Sequence, residues 1–364
     1  MNALRRITCS IQRQLFPAWE SEVGALSDKE RQFVRIVAAA EVERFMTPYQ
    51  WQLLGRKPED RLPVAKAFIA KSVWNFTTTR ALLDYLENCP SLRRLCGWDS
   101  AWEIPSESTF SRAFAAFATG ALPQKIHEAM VCKHLGPKLV GHISRDSTAI
   151  TGREKPVKKE PKAPKAQKKR GRPRKDEPPR IKEPTRLMLQ GGRTLAENLA
   201  DLPQVCDAGC KRNSQGYQET WRGYKLHLDC ADGDIPVSAI LSSASLHDSQ
   251  AAIPLAQMTA ARIRNLYDLM DSAYDAPQIE AFSQQLDHVP LIDPNPRRGE
   301  KKRELDPAAK RRFGERSTVE RVNSNLLENF GGTFVRVRGS VKVMCHLMFG
   351  VLALTAAQLF HLLE

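Results

Sequence analysis

Apolar residues recur at helical spacing from residue 63 to residue 136, as in Ala81, Leu82, Tyr85 and Leu86 and again in Phe110, Phe114 and Phe117, and they predict an all-α region. Ser106, after Pro105, is placed to cap a helix that carries Ser108 and Arg112 on its polar face. That face suits a DNA groove and equally suits a solvated bundle surface, because the turn before it lacks helix-turn-helix spacing. At residue 142 the period changes. Residues 143–150 are rich in β-branched side chains and read as a strand with Asp146 in its middle. An acid inside a strand either faces water at an edge or has chemical work.

Downstream, residues 220–228 and 235–241 read as two strands joined through Ala231-Asp232-Gly233-Asp234, a hairpin signal. A helix follows over 248–264, then a strand over 265–270 that ends at Asp271. A helix over 276–285, a short strand over 289–292 and a basic loop over 297–303 lead to a late helix. In that helix Val319, Val322, Leu326 and Phe330 share one side, with Glu320 on the border of the stripe. The predicted order is β-β-β-α-β-α-β-α, an α/β domain behind an all-α region, with boundaries at residues 1–140 and 141–364. Asp271 stands at the carboxyl end of a buried strand, the edge where open α/β sheets place their sites.

Composition breaks at residues 152–186. This stretch holds 15 Lys and Arg against 5 Asp and Glu, is rich in proline, and carries +10 of a net charge of +14. Such a segment cannot bury enough apolar surface to fold alone and is expected to be a disordered insert. Within it Lys168-Lys169-Arg170-Gly171-Arg172-Pro173-Arg174-Lys175 resembles an AT-hook, whose Arg-Gly-Arg-Pro core lies in a narrow A·T minor groove. Lys169, Arg170, Arg172, Arg174 and Lys175 are therefore candidate DNA contacts; the plainer alternative is a solvated linker adding counterion-release affinity. The overall charge calls for a polyanionic partner, nucleic acid or membrane surface. Eight scattered cysteines suit a reduced, cytoplasmic setting, and residues 1–20 have no signal-peptide core. The apolar run 347–357 is too short for a bilayer and is expected to be a buried terminal helix.

If the strands of Asp146 and Asp271 are neighbours, these two acids and Glu320 can converge. Three close carboxylates repel one another unless some protonate or a cation intervenes. Hard oxygen ligands suit Mg2+, with Mn2+ as a substitute. Two such ions, about 4 Å apart, could activate a water or a 3′-OH and stabilise the departing oxygen in phosphodiester displacement. Glu320 also has a purely local reading: Ser317-Thr318-Val319-Glu320 is a capping-box pattern, and Arg316 precedes Glu320 by one turn.

From about residue 63 to the end, the chain resembles a bacterial insertion-sequence transposase of the DDE type, whose catalytic domain is ribonuclease H-like. The resemblance rests on Asp146 in Arg-Asp-Ser-Thr, the run Trp221-Arg222-Gly223-Tyr224-Lys225-Leu226-His227, the pair His247-Asp248, Asp-Ser-Ala-Tyr-Asp-Ala from Asp271, and Arg316 with Glu320. Phe313, Arg316 and Glu320 fall in register with the Tyr-x2-Arg-x3-Glu-x6-Lys signature of many such enzymes, whereas Leu327 stands where the Lys would be. That departure puts in question the DNA contact usually given to the Lys. The resemblance implies Mg2+-dependent cleavage at transposon ends and strand transfer into target DNA. It also implies metal binding by Asp146, Asp271 and Glu320, a helical region that helps bind terminal repeats, and, by analogy, a homodimer on DNA with no membrane partner. Arg316 would orient Glu320 or meet a phosphate, and Arg336 and Arg338, alternating after Gly331-Gly332, are further phosphate candidates.

Rival readings remain open on sequence grounds. Cys206, Cys210, His227 and Cys230 have a loose zinc-ligand look with unorthodox spacing. His247 and Asp248 precede a helix; Asp248 suits its N-cap better than a metal, and both could still line the site. A repurposed transposase that only holds DNA, or a structure-selective nuclease that cuts without joining, would share most of these features.

Overall fold

The computed structural model describes residues 2–46, 59–157, 183–212, 215–296 and 304–362. Six strands form one mixed sheet: β1 (Leu139–Thr151), β2 (Asp207–Arg212), β3 (Gln218–Ala231), β4 (Ile235–Ser243), β5 (Arg264–Met270) and β6 (Val289–Ile292). The path runs β2-β3-β1-β5-β6, and β4 also pairs with β3. β3 lies antiparallel to β1, β2 and β4, whereas β5 is parallel to β1 and to β6. The antiparallel members are joined by the hairpin the sequence announces, with Gly233 and Asp234 at positive φ in its turn. The parallel members need crossovers, supplied by helices Ser249–Ala260 and Pro277–Gln285.

β4 is buried at every position, which explains its near-continuous apolar run. Gly223 marks the closest approach of β3 to β1. It has φ +151, and a Cβ there would lie 2.0 Å from the carbonyl oxygen of Ile150. Only glycine fits that crossing.

The last long helix, Ser340–His361, holds the molecule together. It packs on β4 and on four helices of the N-terminal half, Asp28–Ala40, Arg61–Val73, Glu107–Thr119 and Leu122–His134. Phe349 stacks on Phe68 with ring centroids 5.7 Å apart and meets Phe114 and Phe117 at 6.4 Å each. One hydrophobic core therefore runs from Ile11 to Phe360 through both the helical region and the sheet. Gly350 permits the close packing, since a Cβ there would sit 2.5 Å from the Phe330 carbonyl oxygen.

Several expectations need correction. The terminal helix is 22 residues, twice the apolar run read from sequence, and long and apolar enough to span a membrane by length and composition. Most of it is buried inside the fold, so its hydrophobicity is spent on this core. Within the region expected to be helical, residues 1–140, the helix Asp28–Ala40 lies ahead of the periodic stretch and is opened by a Ser27/Glu30 capping box. β2 and the helices Arg186–Gln190 and Leu195–Asp201 were not foreseen. The capping box expected at Ser317 does not form: Pro307–Phe313 runs through a 3-10 turn at Gly314–Arg316 straight into Ser317–Asn329, so Ser317 is already helical.

The AT-hook-like residues Lys169, Arg170, Arg172, Arg174 and Lys175, and the basic loop over 297–303, lie outside the described residues. The flanks of the expected insert are held in the fold. Glu154 accepts hydrogen bonds from Tyr224 and the Gly339 amide, and Arg186 pairs with Asp201 at 2.7 Å.

Because the helical region and the sheet share one core, Phe349→Ala should remove about 3–5 kcal/mol of stability. It should also leave a single urea transition reported alike by tryptophan fluorescence and far-ultraviolet circular dichroism.

Candidate active site

The parallel pairing of β1 and β5 sets the site. Its last partners are Arg145 and Met270, so the next residue of each strand, Asp146 and Asp271, stands side by side where β5 ends and β1 continues along β3. The neighbour condition posed from sequence is met. Asp271 turns its carboxylate to accept a hydrogen bond from the Ala273 amide at 3.0 Å.

Below this level, on the opposite face of β1, Arg145 is 1 % exposed and grips Asp229 of β3 through two hydrogen bonds of 2.7 and 2.8 Å. Burial works against the guanidinium charge, and the Asp229 carboxylate more than offsets it. Thr259 donates to the same carboxylate at 2.7 Å. The pair thus fastens β1 to β3 immediately beside the first candidate acid.

Desolvation pushes the Asp146 carboxyl up to about 7, with Asp271 and Asp248 adding to the rise and Arg316 opposing it. Asp271 is raised as well, by burial first and then by Asp248 and Asp293, again against Arg316. Two partly buried carboxylates side by side are costly as anions, and that is the environment in which a hard cation binds.

Arg316 reaches the site because its turn packs on β1, where the Ser144 hydroxyl donates to the Glu315 carbonyl at 3.2 Å. Its guanidinium also lies 5.8 Å from the Phe313 ring and forms an ion pair with Glu320. Glu320 is 54 % exposed and is not among the acids that weigh most on Asp146 or Asp271. Arg316 therefore bears on Asp146 and Asp271 and is paired with Glu320, which itself does not weigh on either aspartate to the same degree. Among the described residues, no three His, Cys, Asp or Glu side chains are gathered closely enough to hold a metal ion.

Asp248, expected as a helix N-cap that could still line the site, does not cap its helix. Lys225 takes its carboxylate instead, at 2.8 Å, and the Ser147 hydroxyl also bonds to it. Burial opposes its ionisation, but His227, Lys225 and these hydrogen bonds hold it below the ordinary carboxylate range. Tyr274, fully buried, has a hydroxyl with no hydrogen-bond partner among the described residues, and Asp248, Asp146 and Asp271 all bear on it. The signal for both was in the sequence: Lys225 and Asp248 belong to the recognised runs, and Tyr274 lies three residues after Asp271.

The remaining candidates fall elsewhere. Arg336 and Arg338 are exposed on an extended segment, with Val335 and Val337 turned inward between them. Arg112 is exposed and donates to Thr109 at 3.2 Å on its own helix. Leu327, at the signature Lys position, packs against the core. The zinc reading is not supported: Cys210 is exposed on β2, His227 is bonded to Ser242 at 2.8 Å, and Cys206 and Cys230 are separately buried free thiols.

Two family models match this chain, one described as Transposase DDE domain over residues 203–356 and one described as Transposase domain (DUF772) over residues 21–116. Comparisons with curated proteins and with solved structures give no match. The first match takes in Asp248, Asp271, Arg316 and Glu320, and begins downstream of Asp146 and of the basic stretch. Together the two matches cover most of the chain, and the chain belongs to the DDE transposases of insertion sequences.

Proposed function

We propose that this transposase cleaves DNA at transposon ends and joins the ends to target DNA, with a ribonuclease H-like catalytic domain and a metal-dependent site at Asp146, Asp271 and Glu320. The observation that carries the reading is the pairing of two desolvated acids, Asp146 and Asp271, at one level on adjacent parallel strands. Their oxygen-only chemistry and raised affinity for protons fit Mg2+ or Mn2+. When bound there, the metal would stabilise charge on the phosphodiester oxygens and make a water or 3′-OH a better nucleophile.

The chain's own residues would do the rest. Asp146 and Asp271 hold the cation and repel a second anion until it is present. Arg316 holds Glu320 on the rim and keeps a positive charge beside both aspartates, where a scissile phosphate would approach. Glu320 would help Asp146 and Asp271 hold the cation if Arg316, its partner in the ion pair, turned to a phosphate. Lys225 fixes Asp248 at the back of the site, so that Asp248 acts on the ligands and not as one of them. The net charge of +14 supports DNA as partner, with the basic stretch, Arg112, Arg336 and Arg338 as contacts outside the reacting centre. A homodimer on DNA follows from the need to bring two ends together.

Purified protein incubated with an end-bearing duplex and Mg2+ tests the reading. Asp146→Asn, Asp271→Asn and Glu320→Gln should each bind DNA and lose nicking beyond the ~10–100-fold expected for an outer partner, whereas Asp248→Asn should fall within that range. Wild-type binding without nicking in Mg2+ or Mn2+ would leave a DNA-holding protein; nicking without joining would leave a nuclease. Near-normal cutting by Glu320→Gln would return that residue to a pairing role with Arg316.

Removing residues 158–182 alone spares the anchored flanks. The deletion should weaken DNA binding and flatten the dependence of log affinity on log salt, while the melting temperature stays unchanged. An unaltered slope would rule out phosphate contacts by this stretch.

A further inference from the structure

The region between the helical half and the end of β1 holds a second site, away from the carboxylates. A groove of about 550 Å3 is lined by Lys71, Thr78, Arg80, Ser111, Arg153 and Arg336, among others. Lys71 lies in the last turn of Arg61–Val73 and is only 8 % exposed. Lysine is rarely buried so deeply without an anion. Burial pushes its ammonium down to about 8, and among the described residues no carboxylate offsets that.

The elements around the groove offer Lys71 no free counter-charge among the described residues. From the terminal helix comes His346, which is neutral: burial and the Lys71 charge push it down to about 3, and its Nε2 is bonded to the Gly331 carbonyl at 2.9 Å. From Glu107–Thr119 comes Glu107, the acid in the lining, and it is paired with Arg80 at 3.0 Å. Glu154, next to Arg153, is occupied by Tyr224 and the Gly339 amide. Arg153 donates to the Arg336 carbonyl at 3.0 Å, which draws the two arginines to one wall. Among the described residues the groove thus gathers four cations, from the N-terminal helices, the end of β1 and the extended segment before the terminal helix, against one acid that is already paired.

We infer that this groove is a phosphate-binding site that takes a backbone phosphate of the DNA whose cleavage is proposed above, with Lys71 as its buried anchor and Arg80, Arg153 and Arg336 around it. The DNA part of this inference rests on the transposase reading; the phosphate chemistry does not. Placement supports it. Arg153 is seven residues along the chain from Asp146, at most about 23 Å at strand rise, or roughly seven base pairs of duplex. One duplex can therefore touch both places. Hydroxyls of Thr78 and Ser111 in the lining would donate hydrogen bonds to the phosphate oxygens. The site also joins the two halves of the protein at one ligand, as a helical region that helps hold transposon ends would require.

Binding of a short double-stranded DNA of arbitrary sequence, followed by fluorescence anisotropy at several salt concentrations, separates an anion site from a merely structural lysine. Lys71→Met keeps the buried stem and removes the charge. It should weaken binding about 5- to 20-fold at moderate salt and reduce the salt slope by about 1, with no fall in melting temperature. Arg336→Gln, on the exposed rim, should act in the same direction and guards against a folding failure of the buried variant. A thermal-shift arm with inorganic phosphate distinguishes the source. A phosphate-dependent rise that is lost in Lys71→Met, with unchanged DNA binding, would identify a free phosphate ligand in the same site. Unchanged DNA affinity and slope in both variants, with no phosphate-dependent shift, would overturn the inference. Because none of these readouts requires cleavage, an inactive wild type would count against the enzyme reading alone.

Discussion

The parallel pairing of β1 with β5 is the constraint on which the rest depends. Its register ends at Arg145 and Met270, and that ending alone makes Asp146 and Asp271 neighbours. A slip of one residue would turn either acid to the other face of the sheet. The Arg145–Asp229 pair guards against such a slip by fastening β1 to β3 on the opposite face, deep in the core. A buried pair of this kind adds little net stability against an apolar replacement, but removing one partner costs about 3–5 kcal/mol, because it strands a charge. It is better understood as a device for register than as a source of stability. The chain spends this rigid polar anchor directly beneath a carboxylate that the fold itself makes uncomfortable.

The second organising element is the terminal helix. By crossing from β4 to the aromatic cluster of Phe68, Phe114 and Phe117, it makes the N-terminal helices part of the same body as the sheet. DNA held by the helical half would then be fixed in place relative to the carboxylates without a flexible linker. The Lys71 groove lies at that junction, and its walls come from both halves.

Much of this could be read from the sequence. The strands of Asp146 and Asp271 were legible because alternation and β-branching are local signals, and β5 was placed to within one residue. The buried stripe Val319, Val322 and Leu326 was legible for the same reason. What failed were features set by distant contacts. Ser317 has a capping pattern, but the preceding turn packs on β1 and continues the helix through it. Asp248 has an N-cap pattern, but Lys225, on a strand 23 residues earlier, claims its carboxylate. β2 is short and polar, with no period to distinguish it from a loop, and it exists because the first half of β3 needs a partner. Lys71 gave no signal at all, since a lysine at helical spacing is ordinarily a solvated one.

Asp146 and Asp271 are proposed to form a cation site whose charge Arg316 offsets only in part. The most direct measurement is thermal unfolding of the wild type and of Asp146→Asn, each in chelator and in Mg2+ or Mn2+. In chelator the variant should melt a few degrees above the wild type, because it sheds a desolvated, repelled charge, and the metal should raise the wild type while leaving the variant unmoved. A wild type indifferent to both metals, together with a variant that melts at or below it, would contradict the claim.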